Sequence, residues 1–227
     1  FLKLRVVGHQ DQGGRAHMED RLCISLSSNT NIGNHASINR SPMRSSVDSV
    51  SNVAIVGLYD GHNGSYVADQ LAQQSPQMLR AALSTGLNAT AAIRQTCAEI
   101  DRRVLARDYR RLHAQRQHGG LSAQTFGGST GLFVLLQQPS AVNSNMVVTI
   151  ANIGDCRAVL SSRGKCRQLT TDHKAVVPEE LIRIEKAGGS VSNGRVNGVL
   201  AVSRSFGDVQ FKNVDTICGI NFNSCKL

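Results

Sequence analysis

The stretch Val53-Ala-Ile-Val-Gly-Leu-Tyr59 carries no charged side chain and runs straight into Asp60-Gly61-His62-Asn63-Gly64. A near-continuous apolar run of this length, closed by turn residues, reads as a buried strand. A carboxylate at the end of such a strand must be solvated, paired or bound to a cation, because burying it bare is too costly. The glycine behind it lets the backbone turn sharply and present its carbonyl to the same point. Carboxylates with a carbonyl oxygen suit hard cations such as Mg2+ or Mn2+, whereas zinc prefers His and Cys. Alone, Asp-Gly-His reads equally well as a polar turn.

Around this strand the periodicity predicts strands, then helices, then strands. Leu2–Val7 alternates apolar and basic residues, and Arg21–Leu26 is a second short strand. Residues 27–52 are dominated by Ser and Asn, too polar to bury much surface, which predicts a disordered surface insertion. Apolar stripes at Val67, Ala68, Leu71 and Ala72, ended or bent at Pro76, and at Ile93, Cys97, Ile100 and Val104 predict two helices. Beyond a Gly-rich segment, His118–Gly128, strands are expected over Gly131–Gln137, Met146–Ala151 and Arg157–Leu160. Pro178-Glu-Glu opens a third helix, since Pro fits the first turn and acids complement the dipole, and Gly188-Gly189 stops it. There are no internal repeats, and the order argues for α+β layers over a βαβ parallel sheet.

With 227 residues, 41% of them hydrophobic, the chain has material for one substantial core. No apolar run reaches the roughly 18 residues of a membrane helix. The sequence opens FLKLRVVGHQ, with no initiator Met and no signal-peptide core, so it reads as a fragment or trimmed chain. Cys23, Cys97, Cys156, Cys166, Cys218 and Cys225 form no C-x-x-C pair, which points to reduced thiols and an intracellular setting, cytoplasmic or nuclear. The net charge of +9 favours anionic partners. Its densest cluster, Arg102, Arg103, Arg107, Arg110, Arg111 and Arg116, follows one helical pattern without interleaved aromatics. That is a solvated helix face, so nucleic acid is not the expected partner.

Further acids lie at predicted strand ends. Arg15-Ala-His-Met-Glu19-Asp20 precedes one strand, and Asn152-Ile-Gly154-Asp155-Cys156-Arg157-Ala158 lies between two, where Gly-Asp also suits an ordinary hairpin turn. Val196–Asp208 mixes an apolar strand with polar residues that packing does not justify. Taken in order, these strings resemble the type 2C metal-dependent serine/threonine protein phosphatases. The resemblance runs through Arg-x-x-Met-Glu-Asp, Tyr-Asp-Gly-His-x-Gly, Gly-Gly-Ser-Thr, Asn-x-Gly-Asp-x-Arg-Ala, Leu-Thr-x-Asp-His-Lys, Arg-Ile-x-x-Ala-Gly-Gly and Leu-Ala-Val-Ser-Arg-x-Phe-Gly-Asp. It covers roughly residues 1–213; residues 214–227 do not match.

The resemblance implies a central antiparallel β-sandwich flanked by helix pairs, with two Mg2+ or Mn2+ ions, and a weaker third, in the cleft at one end. Asp60 matches the bridging metal ligand and Gly61 the carbonyl donor. Glu19 and Asp20 match acids that hold and orient water around the metals, and Asp155 the acid of the third ion. Arg15 matches the phosphate-gripping arginine, a role its planar fork suits. His62 matches the general acid that protonates the departing alkoxide. The implied reaction is hydrolysis of phosphoserine and phosphothreonine in proteins by a water activated between metals about 3.5–4 Å apart. Phosphorylated proteins are then the partners, and the enzyme is expected to be a monomer. His17 is expected to face solvent, His173 to be a structural hydrogen-bonding residue, and Ser129 and Thr130 to bond backbone near the cleft.

The pattern departs from the family after Asp208. The family continues through further strands bearing an aspartate-glycine and an aspartate-asparagine pair, and residues 214–227 hold no counterpart of either. The fold is therefore expected to miss its C-terminal strands, leaving apolar faces and unpaired edges. The alternative function is a catalytically inactive module of the same fold that binds a protein partner.

Overall fold

A computed structural model describes residues 5–26, 53–117, 126–138, 145–212 and 223–226. Its largest sheet is antiparallel and five-stranded. In spatial order it holds β1 (Arg21–Ser25), β2 (Val53–Tyr59), β5 (Gly131–Gln137), β6 (Val147–Ile153) and β12 (Asn223–Lys226). A small three-stranded sheet joins β3 (Gly61–His62), β4 (Gly128–Ser129) and β11 (Phe206–Gly207). Two short hairpins, β7 (Val159–Ser162) with β8 (Lys165–Gln168) and β9 (Val191–Ser192) with β10 (Arg195–Val196), complete the strands among the described residues. The helices are α1 (Tyr66–Ser84), α2 (Ala89–Gln117) and α3 (Pro178–Lys186). This is the expected α+β fold with antiparallel sheets.

Alternation along the strands divides the sheet into two faces. Ile55, Tyr59, Phe133, Leu135, Ala151 and Ile153 point to one face, where α1 and α2 bury Val67, Leu71, Leu79, Ile93, Cys97 and Ile100 against them. Tyr59 packs edge-on to Phe133 at 5.5 Å between centroids and satisfies its hydroxyl on Ser75 at 2.6 Å. The opposite face carries Leu132 and Ile150, covered by Cys156, Ala158 and Leu169, while Leu58, Val134 and Val148 stay part-exposed. A third cluster, Ala175, Ile184, Val196, Leu200, Val202 and Phe211, lies under α3.

Five expectations need correction or placement. Arg5–Val7 is not a strand, and Val7 is 65% exposed: alternation alone makes no strand without a partner edge to bond. Residues 1–4, the expected insertion at 27–52 and most of the Gly-rich segment lie outside the described residues. Pro76 does not end α1, which continues to Ser84, because burial of Val67, Ala68, Leu71, Leu79 and Ala82 on the sheet outweighs the one lost hydrogen bond. Gly154-Asp155 is not a hairpin turn; the chain leaves the sheet after β6, and the next strand, β7, pairs only with β8. Within 214–227, the backbone of Asn223–Lys226 bonds the free edge of β6, so that edge is covered.

His173 is the structural residue expected. It is 3% exposed, its Nδ1 accepts the Gly154 amide at 3.1 Å, and its own amide bonds the Gly154 carbonyl at 2.9 Å. Burial, helped by the charge of Arg204, lowers its pKa from 6.5 to about 4. A histidine depressed in this way adds stability that is full above 6.5 and is lost as pH falls through about 4. The loss should reach about 3 kcal/mol. In thermal melts, His173→Asn should therefore show a flatter decline over that window than the native chain; parallel declines would show that His173 is not the residue titrating.

Candidate active site

The strand register brings the acids together. Arg21 pairs with Tyr59 across β1 and β2, so the preceding Asp20 and the following Asp60 emerge side by side. Leu58 pairs with Leu132 and Gly131 with Ile153, which puts Thr130 and the Gly154-Asp155 corner at the same end of the sheet. The backbone there is closed by hydrogen bonds: the Thr130 amide donates to the Asp60 carbonyl at 2.9 Å, the Ser129 hydroxyl donates to it at 3.2 Å, and the Asp60 amide donates to Thr130 Oγ1 at 3.2 Å. These are the backbone contacts expected of Ser129 and Thr130.

Electrostatics registers the convergence. The Asp60 pKa is raised from 3.8 to about 6, first by partial burial, then by the charges of Asp20 and Asp155 and by hydrogen bonding with Asp20. The carboxylates of Asp20 and Asp155, from separate strand ends, thus both repel that of Asp60. Gly61 meets the Glu19 segment so closely that a Cβ there would lie 2.5 Å from the Glu19 carbonyl oxygen, which only glycine avoids. Glu19 Oε1 accepts the Gly64 amide at 2.6 Å. Glu19, Asp20, Asp60 and Gly61 therefore share one corner.

The carboxylates do not all converge on one point. Asp155 pairs with the Lys174 ammonium, and among the described residues no three His, Cys, Asp or Glu side chains are close enough to enclose a metal. The donor set, all oxygen and mutually repelling, nevertheless has the chemistry of a hard divalent cation site. Arg15 is exposed on the loop before β1 and makes no ion pair among the described residues, and His17 faces solvent as expected.

His62 sits on the three-stranded sheet opposite Gly128. Its Nε2 lies 2.8 and 2.9 Å from the two carboxylate oxygens of Asp208, which is fully buried. Burial alone would lower the imidazole pKa. The hydrogen bond and charge of Asp208, with Asp60 and Glu19 behind, outweigh it and raise the pKa above 6.5. A Cβ on residue 128 would fall 2.2 Å from Asp208 Oδ2 and 2.5 Å from His62 Nε2, so the pair exists only because Gly128 leaves that space.

Asp208 itself is anchored. It adopts a left-handed backbone (φ 51), and Ser205 Oγ donates to its carboxylate at 2.5 Å. Lys212 Nζ bonds the Ser205 carbonyl at 2.9 Å and the buried Asp101 of α2 at 2.7 Å, while Asp101 also accepts the Gly207 amide at 2.8 Å. The sequence did not decide between a turn role for Asp208 and an approach to the metals from a flap. Its visible trace was the cluster of polar residues within the otherwise apolar Val196–Asp208. The Ser203 and Arg204 side chains, by contrast, bind Glu180 of α3.

A profile of the family described as Protein phosphatase 2C matches residues 4–221. Among similar curated proteins, "Probable protein phosphatase 2C 27" of Oryza sativa subsp. japonica is 31% identical over 199 residues, covering 87% of this chain and 48% of that protein. "Protein phosphatase 1L" of Bos taurus is 30% identical over a 229-residue alignment, covering 96% and 53%. The chain thus spans about half the length of these relatives. Of solved structures, a C. elegans sex determining protein superposes with a TM-score of 0.70 at 21% identity, over 94% of this chain and 45% of its own, a likeness of fold. A phosphatase from a pathogenic strain of Toxoplasma gondii gives 0.59 at 26% identity, over 77% and 65%.

Proposed function

This chain belongs to the protein phosphatase 2C family, and from that premise we propose that it hydrolyses phosphoserine and phosphothreonine in proteins at a Mg2+- or Mn2+-dependent cleft. The observation that carries the reading is the strand register that brings Asp20, Asp60 and Asp155 to one end of the sheet, in keeping with the raised pKa of Asp60. Asp60, Asp20, Asp155, Glu19 and the Gly61 carbonyl are the residues that would hold the cations. Bound there, divalent ions supply an activated water and neutralise charge on the phosphoryl oxygens. Arg15 offers a fork for the substrate phosphate from its exposed loop. His62, kept protonated by Asp208, gives its proton to the departing serine or threonine oxygen, which contributes about 10²–10⁴-fold. No side-chain nucleophile is required, since phosphoryl transfer needs mainly positioning and electrostatics. Cys23, Cys97, Cys156 and Cys166 are free thiols, which supports a reducing, intracellular setting.

The test is release of inorganic phosphate from a phosphothreonine peptide with Mn2+ or Mg2+, stopped by chelation. A folded chain that releases none under these conditions is instead an inactive partner-binding module. The role of Asp208 has its own signature. Asp208→Asn should lower kcat on the phosphothreonine peptide about 10²-fold yet change hydrolysis of p-nitrophenyl phosphate little, because nitrophenolate leaves without a proton. Equal losses on both substrates would mean that Asp208 only supports the fold.

A further inference from the structure

Immediately beyond His62 the surface dips into a cavity of about 160 Å³ lined by Asn63, Gly64, Tyr66, Arg107, Arg111 and Phe126. Both arginines project from α2, Arg107 held by an aromatic ring and Arg111 in looser contact with another. The Arg107 guanidinium stacks 3.5 Å from the Tyr66 centroid, and that of Arg111 lies 5.9 Å from Phe126. Such stacking holds the planar fork in place and lowers the entropy lost when it binds an anion. Asp108, beneath them, is 2% exposed, lies 3.5 Å from Arg107 and interacts electrostatically with both guanidinium groups, so it offsets part of their combined charge; Glu19 is already engaged by the Gly64 amide. The cavity is too small for a drug-sized ligand and suits one acidic side chain. The arrangement goes beyond a plain solvated helix face.

Resting on the reading above, we infer that this cavity binds an acidic side chain that flanks the phosphorylated residue, making Arg107 and Arg111 determinants of substrate choice. The geometry dictates the direction. His62 addresses the oxygen that leaves, and the polypeptide of the substrate is bonded to that oxygen. Chain neighbouring the phosphorylated residue therefore passes over Asn63 and Gly64 and reaches the two guanidinium groups.

Two phosphothreonine peptides, alike except for Glu or Gln on both flanks, provide the test. With Mn2+, the native chain should prefer the Glu peptide about tenfold in kcat/KM, an increment within reach of one charge-assisted hydrogen bond. Arg107→Gln/Arg111→Gln should erase the preference and leave p-nitrophenyl phosphate turnover unchanged. Arg111→Glu, an exposed single change, should shift preference toward a Lys-flanked peptide even if the double variant folds poorly. A phosphoserine-flanked peptide separates phosphate from carboxylate recognition: tighter use of it than of the Glu peptide would overturn the carboxylate assignment. Equal use of the Glu and Gln peptides by the native chain, or a preference that survives both sets of variants, would overturn the inference altogether. Should neither peptide nor p-nitrophenyl phosphate be hydrolysed, the phosphatase reading itself fails. Fluorescence anisotropy of the labelled peptides then decides the cavity separately, by presence or absence of an arginine-dependent Glu preference in Kd.

Discussion

Asp60→Asn is expected to lower Mn2+-supported kcat/KM about 10³-fold and, in the metal-free chain, to raise the melting temperature. The first effect follows from removing what the proposed function makes the central oxygen ligand, at a site where bound cations would supply several kcal/mol of charge stabilisation. The second follows from the sign of the Asp60 shift. A carboxyl raised from 3.8 to about 6 in the folded chain is destabilising once ionised, so the penalty grows as pH rises through that window and is complete at neutral pH. Asp60 is accessible to solvent, so screening reduces the penalty to on the order of 1 kcal/mol. For a chain of this size that corresponds to about 2–4 °C. Opposite signs for activity and stability mark a group held in place for chemistry. Thermal melts of the chelated proteins, read beside the kinetics, check both; a fall in melting temperature would show Asp60 to be a structural ion-pair member.

Glu180→Ala should cost about 3–5 kcal/mol of unfolding free energy, the range for breaking a buried ion pair from one side. Glu180 is 3% exposed. It accepts from Arg204 Nε at 3.0 Å, from the Arg183 guanidinium at 2.7 Å and from Ser203 Oγ at 2.6 Å. Alanine would leave both guanidinium groups without the carboxylate they share. The same contacts tie α3 to the Ser203–Asp208 segment, so the variant should also loosen Asp208 behind His62. Burial alone would raise the Glu180 pKa; hydrogen bonds from Arg204, Arg183 and Ser203 outweigh it and hold the carboxyl down at about 2. Its contribution is therefore present above 4.5 and lost as pH falls through about 2, a window below that of His173. Urea unfolding measures the difference, and a loss under about 1 kcal/mol would place Glu180 among ordinary surface pairs.

Elements whose burial is written in consecutive residues were legible from the sequence. Val53–Tyr59 and Gly131–Gln137 begin and end where the apolar pattern does, and Pro178 and Gly188 bracket α3 through local backbone chemistry. Pro76 misled because its cost is local, whereas the packing that carries α1 past it comes from the sheet. The acids of the corner could be named but not aligned, since the pairing of Arg21 with Tyr59 joins segments far apart in the chain. The least legible part was the support behind His62. Asp208 lies 146 residues away, joined through two-residue strands too short to show a period. The buried Lys212–Asp101 pair beneath it spans 111 residues. Likewise the ion pair of Asp155 with Lys174 is a choice of partner that composition does not reveal.

The central claim is that the carboxylates at these strand ends form a cation site organised by Asp60. Titration of Mn2+ into the chelator-stripped chain, with free Mn2+ read by electron paramagnetic resonance, addresses it without any turnover. Saturable binding should occur in the native chain and persist in His62→Asn, while Asp60→Asn weakens it by about tenfold or more. Superimposable isotherms for the native and Asp60→Asn proteins would contradict the account.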